Sequence, residues 1–410
     1  MQRVKINSDR LLNDLYELRK IGGRGKGVVR PAFSEADMKA RSWLKQRFED
    51  AHLDTKIDGV GNVLGRSKKL GPTILLGSHS DTQPEGGWLD GALGVIYGLE
   101  AARALHENSE TNHLSVDVVS WQDEESNFLS CLGSRSWCRT LNPELEKQAT
   151  SREGERLDDA LRRVGLHSTP RLEIEEGRYL GYLEAHIEQG CYLEEANEKI
   201  GIVTAIVGIR GLIISFKGEQ NHAGTTTMKR RKDAATAMFE TAYRINTQFP
   251  PLARETTVWT LGNATVEPGA SSIVPGAAEL TLQFRDQDEG VLDALEHEVK
   301  KIVEDIKSRG EILIDVRPGR EIIRPSRMDK NFQTHLEKSA QEITPNAWRY
   351  MPSAAGHDPM VIHEKIPCAM LFIPSIKGIS HNFDEDSHEE DIILGCEVLT
   401  SAVASILLSN

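Results

Sequence analysis

The stretch TILLGSHSDT at residues 73–82 decides the fold. Its first four residues form an apolar run typical of a strand that is buried on both faces, and the last six read as a polar loop after that strand. Residues 114–121, which are rich in valine, read as a second strand, and residues 91–105 between the two have helical spacing. Strands that alternate with helices predict an α/β sheet that is at least partly parallel.

A segment with a different rhythm follows, from about residue 211 to residue 316. It reads strand, helix, strand, strand, helix, strand, which is typical of a small α+β domain with a ferredoxin-like outline. After it, an apolar strand and a last helix complete the α/β domain, whose sheet we expect to be mixed and mainly parallel with helices on both faces. The predicted boundaries are residues 1–210 and 325–410 for the α/β domain and residues 211–324 for the inserted α+β domain.

Helices are predicted at both ends of the α/β domain. Ser8 can cap a first helix that carries Leu11, Leu15 and Leu18 on one face. The last helix carries apolar residues at helical spacing between residues 392 and 406.

The chain is acidic, because its 410 residues include 62 Asp+Glu against 49 Lys+Arg, for a formal net charge of −13. This balance argues against a general nucleic-acid or membrane-surface binder, although a local site can oppose the global sign. No apolar run approaches the ~18 residues that a membrane span needs. The first twenty residues also lack the apolar core of a secretory signal. We therefore expect neither a nucleic-acid nor a membrane partner.

The cysteines are the second indication of cellular location. They are odd in number and form no CxxC pair: Cys131, Cys138, Cys191, Cys368 and Cys396. This pattern favours the reducing cytosol over a disulfide framework, so we expect a cytoplasmic protein in which these residues are small apolar core residues.

His79 and Asp90 follow the first strand, at the kind of place where open α/β sheets form their sites. A histidine there can bind a metal ion, and Asp81 is close enough in sequence to orient the His79 ring. A lone histidine is more often structural, so this motif needs others beside it.

Three acidic residues, Asp123, Glu124 and Glu125, follow the second strand. Three carboxylates in a dry site would repel one another, and a divalent cation removes that repulsion. One glutamate could then bind the metal while its neighbour moves a proton. A solvated acidic turn is the alternative interpretation.

Further histidine motifs occur along the chain: EAHIEQG at 184–190, NHAGTT at 221–226, AGHD at 355–358 and GISHN at 378–382. Together with GSHSDT, WLDGALG and DEES, in this order, they make the sequence resemble the M20 family of metal-dependent amidohydrolases. The resemblance is strongest to the branch of N-carbamoyl-L-amino acid hydrolases, allantoate amidohydrolases and β-ureidopropionases. HIEQG and GISH separate this branch from the peptidases and aminoacylases of the wider family.

The resemblance implies two divalent cations per subunit, about 3.5 Å apart, with a bridging carboxylate. Mixed imidazole and carboxylate ligands suit Zn, Mn, Co or Ni. Glu124 matches the family's general base, which takes a proton from water and passes it to the leaving nitrogen. The implied ligands are His79 and His186 for one ion, Glu125 and His381 for the other, and Asp90 between them.

The resemblance also implies how substrate is held. Gln189 and Arg285 match residues that bind a substrate carboxylate, and His357 matches a histidine near the substrate carbonyl or ureido group. His222, in the inserted domain, matches a histidine that reaches the site of the other subunit and contacts the developing oxyanion, which implies a homodimer through that domain. The alternatives are a surface ion pair of Arg285 with Asp286 or Asp288, and a structural role for His357 through Asp358.

Two residues depart from the family pattern. Ser272 stands where Asn is usual in the inserted domain, and Ala354 stands where Gly is usual before His357. Ser has a shorter reach and one donor, against two on an Asn amide, so Ser272 implies weaker carboxylate binding or a different substrate.

These observations predict a two-metal hydrolase of linear C–N amide bonds. The expected substrate is a small molecule with a carboxylate, most simply an N-carbamoyl (ureido) L-amino acid or a related ureido acid. An aminoacylase, a dipeptidase or an aromatic-amine deaminase on the same site is the alternative within the family. A non-catalytic protein that keeps the fold is the alternative from another class.

Overall fold

The computed structural model describes residues 4–319 and 322–410. The chain divides into two compact units, with Met1–Thr204 and Arg327–Asn410 in unit 1 and Ala205–Ser326 in unit 2. The sequence placed these boundaries at residues 211 and 324. Residues 1–3 and 320–321, which the predicted domains include, lie outside the described residues.

The elements are numbered in chain order. The helices are α1 (Ser8–Lys20), α2 (Glu35–Asp50), α3 (Ala92–Glu107), α4 (Leu132–Trp137), α5 (Pro143–Gln148), α6 (Leu157–Arg163), α7 (Tyr192–Ala196), α8 (Ala234–Gln248), α9 (Glu289–Lys307), α10 (Lys330–Ile343), α11 (Pro359–Ile362) and α12 (Glu389–Leu408). The strands are β1 (Gly23–Arg24), β2 (Gly27–Val28), β3 (Asp54–Ile57), β4 (Val63–Arg66), β5 (Thr73–His79), β6 (Ser115–Trp121), β7 (Tyr179–Ile187), β8 (Ile200–Ile206), β9 (Gly208–Lys217), β10 (Asn221–His222), β11 (Val258–Glu267), β12 (Ile273–Val274), β13 (Ala277–Asp286), β14 (Leu313–Pro318), β15 (Ser326–Arg327), β16 (Trp348–Ser353) and β17 (Cys368–Ile373).

The large sheet of unit 1 confirms the mixed, mainly parallel architecture. Its strand order is β8-β17-β7-β5-β6-β4-β3, with β15 and β16 both beside β8. The central strands β17, β7, β5 and β6 are mutually parallel, whereas β4, β3 and β8 join antiparallel. Every residue of β5 and β6 is buried, as expected for strands that are covered on both faces. The carboxyl ends of the four parallel strands therefore meet at one edge of the sheet.

Helices α3 and α12 fill the core of unit 1. The apolar stripe predicted for the last helix is buried, from Ile392 through Leu399 to Ile406. By length and composition α12 could cross a membrane, which the sequence did not lead us to expect because Glu397 interrupts its apolar run. However, 67% of the most apolar stretch of α12 is buried inside the protein, as in a core helix.

The first helix begins where the sequence predicts, but its cap differs. The Asn7 side chain accepts the hydrogen bond of the Arg10 backbone N–H, and Ser8 is already the first helical residue. Asn7 has the extended backbone that a cap requires, with φ −100° and ψ 99°. Leu11, Leu15 and Leu18 are buried as predicted.

Unit 2 is a four-stranded antiparallel sheet with the order β11-β13-β9-β14. Helices α8 and α9 pack on one face of it, and the chain order of these elements gives the ferredoxin-like outline predicted from the sequence. Strand β11 lies at an edge of the sheet. A separate short pairing of β10 with β12 places His222 opposite Ile273.

Candidate metal centre

The predicted metal ligands converge at the carboxyl edge of the unit 1 sheet. His79 is the last residue of β5, and His186 is the last but one of β7. Glu125 follows β6, and His381 follows β17. Asp90 lies directly before α3, whose cap Gly91 has a φ of 66°. Parallel strands thus bring together side chains that are as much as about three hundred residues apart in sequence.

Asp90 is shared by two sets of side chains. Its Oδ1 lies 3.1 Å from His186 Nε2 and 3.7 Å from His79 Nε2. Its Oδ2 lies 3.2 Å from His381 Nε2, which is also 3.6 Å from Glu125 Oε1. In each set the potential ligand atoms lie within 4.8 Å of one another. The two oxygens of one carboxylate therefore face two separate groups of donors.

Two main-chain carbonyls fix the orientation of the buried histidines. His79 Nδ1 lies 3.0 Å from the Asp81 carbonyl oxygen, and His186 Nδ1 lies 2.9 Å from the Ile187 carbonyl oxygen. Because a carbonyl only accepts, both Nδ1 atoms carry hydrogen, and both Nε2 atoms are directed at Asp90.

The prediction that Asp81 orients the His79 ring left the atom open, and the atom at hydrogen-bond distance is the Asp81 backbone carbonyl oxygen rather than a carboxylate oxygen. The nearest Asp81 carboxylate oxygen is 3.9 Å from Nδ1. That carboxylate instead lies 3.7 Å from Arg41 and accepts the Glu125 backbone N–H at 3.3 Å. The His79 ring therefore donates to the Asp81 backbone oxygen and not to its carboxylate.

The electrostatics of the centre fit divalent cations. Burial raises the pKa of Glu124 and of Glu125 well above the usual range, and the neighbouring carboxylates add to the effect. Burial disfavours charge on His186, but the hydrogen bond to Asp90, the charges of Asp90 and Glu184 and the hydrogen bond to the Ile187 carbonyl together outweigh it and raise the pKa to about 9. Glu125 Oε1 is buried without a hydrogen-bond partner among the described residues. Bound cations would relieve the repulsion among these buried carboxylates, and imidazole and carboxylate ligands together suit Zn, Mn, Co or Ni.

Glu124, the predicted base, lies beside the first donor set. Its Oε2 is 3.7 Å from His79 Nε2, and the Cys131 thiol lies 3.9 Å from its Oε1. The turn that presents it is held by Asp123, whose carboxylate accepts the backbone N–H groups of three residues that follow. Glu124 is therefore a carboxylate that lies next to the potential cation ligands and forms no strong hydrogen bond of its own.

Two predicted substrate residues also lie at this centre. Gln189 Nε2 donates to Asp90 Oδ2 at 3.3 Å and to Ser380 Oγ at 3.0 Å. The His357 ring lies against His186, with 4.5 Å between ring centroids, and burial holds its pKa well below the usual range. The His357 Nε2 atom is buried and lacks a hydrogen-bond partner within the described chain. His357 is thus a neutral ring with an unsatisfied polar atom.

The other predicted substrate residues lie in unit 2. The exposed His222 accepts the backbone N–H groups of Gly224 and Thr225 at Nδ1, at 3.0 and 3.2 Å, so its Nε2 carries the hydrogen. The Ser272 carbonyl accepts the Ala223 N–H at 2.9 Å, which places Ser272 next to His222. Arg285, on β13, donates through Nε and one terminal nitrogen to Gln283 Oε1, at 3.2 and 3.0 Å.

Sequence reasoning gave no role to two buried groups around the centre. Glu184 accepts hydrogen bonds from Ser78 and Tyr182, both at 2.8 Å, and burial raises its pKa to about 7. It shares a face of β7 with His186, so strand alternation could have identified it. Glu385 accepts hydrogen bonds from the segment that carries Asp90, and no local pattern marks it.

Comparison with known proteins places this site in context. The model of Peptidase family M20/M25/M40 matches residues 75–405. The N-carbamoyl-L-amino acid amidohydrolase of Geobacillus stearothermophilus is 32% identical over 97% of this chain and 98% of its own. The allantoate amidohydrolase of Escherichia coli (strain K12) is 30% identical over 91% of both chains. The crystal structure of an amidase (hydantoinase/carbamoylase family) from Burkholderia phymatum has a TM-score of 0.94 and 46% identity over the whole of both chains.

Proposed function

The chain belongs to the M20/M25/M40 peptidase family as an amidohydrolase, and we propose that it uses two divalent cations to hydrolyse an N-carbamoyl (ureido) L-amino acid or a related ureido acid. The observation that carries this proposal is the Asp90 carboxylate, whose two oxygens face separate donor sets beside Glu124. Water and the ureido substrate would yield an amino acid, ammonia and CO2.

Each step requires a particular side chain. Cations held by His79, His186, Glu125 and His381, with Asp90 shared, would supply Lewis acidity that polarises the substrate carbonyl and lowers the pKa of the attacking water. Glu124 accepts a proton from that water and returns it to the nitrogen that leaves. Glu124 can do both, because it is buried next to His79 and its oxygens form no strong hydrogen bond that would hold the proton.

The substrate class rests on the groups available to a carboxylate. Arg285 offers a planar guanidinium, which Gln283 holds in one orientation, and such a group suits bidentate binding of a carboxylate. Ser272, next to His222, offers one hydroxyl in the same unit. The relatives named above act on N-carbamoyl-L-amino acids and on allantoate, which contain both a ureido group and a carboxylate.

Unit 2 offers a surface for a homodimer. Strand β11 is an edge strand, so its outer hydrogen-bonding groups have no partner strand within the described sheet. Next to it, α8 exposes Phe239 and Tyr243, at 61% and 69% of their surface, and β11 exposes Val258 at 50%. Pairing two copies along β11 would cover this surface. In such a dimer, the Nε2–H of His222 is available to the substrate oxygen in the partner's centre.

The cysteines support the cytoplasmic location that we propose. All five are free thiols, and Cys131, Cys138, Cys368 and Cys396 are buried. This is the state expected of a protein that folds in a reducing compartment.

A substrate panel tests the proposal. Metal-free protein is supplied with Mn, Co, Zn or Ni and assayed on N-carbamoyl amino acids, allantoate, N-acyl amino acids, dipeptides and aromatic amines. We expect cation-dependent release of ammonia from the ureido acids. Faster turnover of an acyl, peptide or aryl-amine substrate would show that the substrate class is not the ureido acids. An absence of turnover with every cation would refute the proposal that the protein is a cation-dependent hydrolase.

A further inference from the structure

Glu385 is a buried carboxylate that belongs to none of the motifs described above. Its side chain is 2% exposed, yet it lies in an acidic segment that reads as a surface turn. Glu385 Oε1 accepts the backbone N–H groups of Leu89 at 3.2 Å and Asp90 at 3.0 Å. Its Oε2 accepts the Ser380 hydroxyl at 2.8 Å. One carboxylate therefore ties the segment of the shared ligand Asp90 to the residue before His381.

Gln189 closes these contacts into a ring. Its Nε2 donates to Ser380 Oγ at 3.0 Å and to Asp90 Oδ2 at 3.3 Å. The path runs from the Asp90 side chain through Gln189, Ser380 and Glu385 back to the Asp90 backbone. A ring of this kind restricts both where the Asp90 carboxylate lies and which way it turns, since its main chain and its side chain are held at once.

The two chain segments also approach unusually closely at Gly87. A Cβ atom added there would lie 1.9 Å from the Glu385 carboxyl carbon, so no side chain fits between them. One residue further on, Trp88 Nε1 donates to Asp386 Oδ1 at 3.2 Å. Glycine at position 87 thus allows Glu385 to reach the backbone of the Asp90 segment, and the neighbouring pair reinforces the contact.

We propose that Glu385 is a positioning residue that fixes Asp90 and the His381 segment relative to each other, and that it thereby sets the affinity for the cation bound by Asp90, Glu125 and His381. The proposal rests on the two-cation function given above. Glu385 contacts the backbone of one ligand of this set and the residue next to another. The set of His79 and His186 shares only Asp90 with it, so its affinity should depend less on Glu385.

A buried carboxylate elsewhere in unit 1 provides the matched control. Asp58 is 1% exposed and accepts the backbone N–H groups of Val60 at 3.0 Å, Asn62 at 2.8 Å and Leu172 at 3.2 Å. It contacts none of the proposed ligands. Asp58→Ala therefore leaves three backbone N–H groups without an acceptor and Glu385→Ala leaves two, but only the second variant disturbs the cation centre.

The experiment measures Mn²⁺ binding to the cation-free protein by competition with a chromogenic chelator, together with thermal unfolding of the cation-free form. We expect both alanine variants to lower the Tm. Only Glu385→Ala should weaken binding of the cation held by Asp90, Glu125 and His381, by about 10- to 100-fold. Glu385→Gln should recover most of that affinity, because its amide oxygen can still accept both backbone N–H groups. Ser380→Ala should also lower the affinity for this cation, with little effect on Tm.

Wild-type affinity for both cations in Glu385→Ala would overturn the proposal, and so would an equal loss of affinity in Asp58→Ala. If Glu385→Ala does not fold, the Ser380→Ala variant tests the proposal instead, since it removes only a single hydroxyl. An unchanged cation affinity in Ser380→Ala would then overturn the proposal. A wild-type protein that binds fewer than two cations would instead contradict the proposed two-cation function.

Discussion

Replacing Glu124 by Gln tests the assignment of the base most directly. The substitution keeps the size and one oxygen of the side chain but removes its ability to take up a proton. Glu124 is not among the five proposed cation ligands, which form two sets that share Asp90. We therefore expect Glu124→Gln to keep both cations while losing hydrolysis.

The size of the loss follows from what else surrounds the site. The nearest alternative base, Glu125, accepts the Gln83 amide at 2.6 Å through Oε2 and faces His381 through Oε1. Asp358 accepts the Ser134 hydroxyl at 2.5 Å. Neither is available to replace the proton acceptor. General acid–base catalysis contributes about 10²–10⁴-fold, and one carboxylate serves both proton transfers, so we expect a loss in kcat near 10⁴, or about 5.4 kcal/mol.

The assay combines kcat and KM on an N-carbamoyl amino acid with elemental analysis of the purified variant. Glu173→Gln is the matched control, because Glu173 is half exposed and pairs with Arg139 on the surface; it should leave kcat and cation content unchanged. Glu125→Gln should lose a cation as well as activity. Near-full turnover by Glu124→Gln, with both cations present, would refute the assignment of Glu124 as the base.

Three further predictions concern substrate, assembly and cations. Arg285→Ala should raise KM for carboxylated substrates by about 10- to 100-fold with a smaller effect on kcat, since a hydrogen bond to a charged group contributes about 1.5–3 kcal/mol; an unchanged KM removes Arg285 from recognition. Phe239→Lys combined with Tyr243→Lys should yield monomers in sedimentation, and a persistent dimer would place the interface elsewhere. Chelation should lower Tm, because a cation at 100 times its Kd stabilises by about 2.7 kcal/mol; an unchanged Tm would argue against bound cations.

The side chains that meet at this centre could be predicted from the sequence because the patterns that mark them are local. His79 and His186 lie at the ends of apolar strands, and Glu125, Asp90 and His381 lie in the loops that follow such strands. Histidine beside a carboxylate is also a recognisable chemical pattern. Which atom acts was less accessible: the sequence pointed to Asp81 as the partner of His79 but could not distinguish its carboxylate from its backbone carbonyl, and in the structure the carbonyl accepts the hydrogen bond. Glu385 could not be found in this way. Its partners Leu89 and Asp90 lie nearly three hundred residues earlier in the chain, and only the folded sheet brings them together.

The position of β17 in the sheet has a consequence for synthesis. It lies between β7 and β8, although it is the last strand of the chain to be made. Until β17 has been synthesised, β7 and β8 lack the strand that lies between them. Their facing backbone groups are then unpaired and the apolar side chains around that position are exposed. Nascent chains stalled before Cys368 should therefore recruit chaperones and be cleaved readily by proteases, whereas extension past Ile373 should end both.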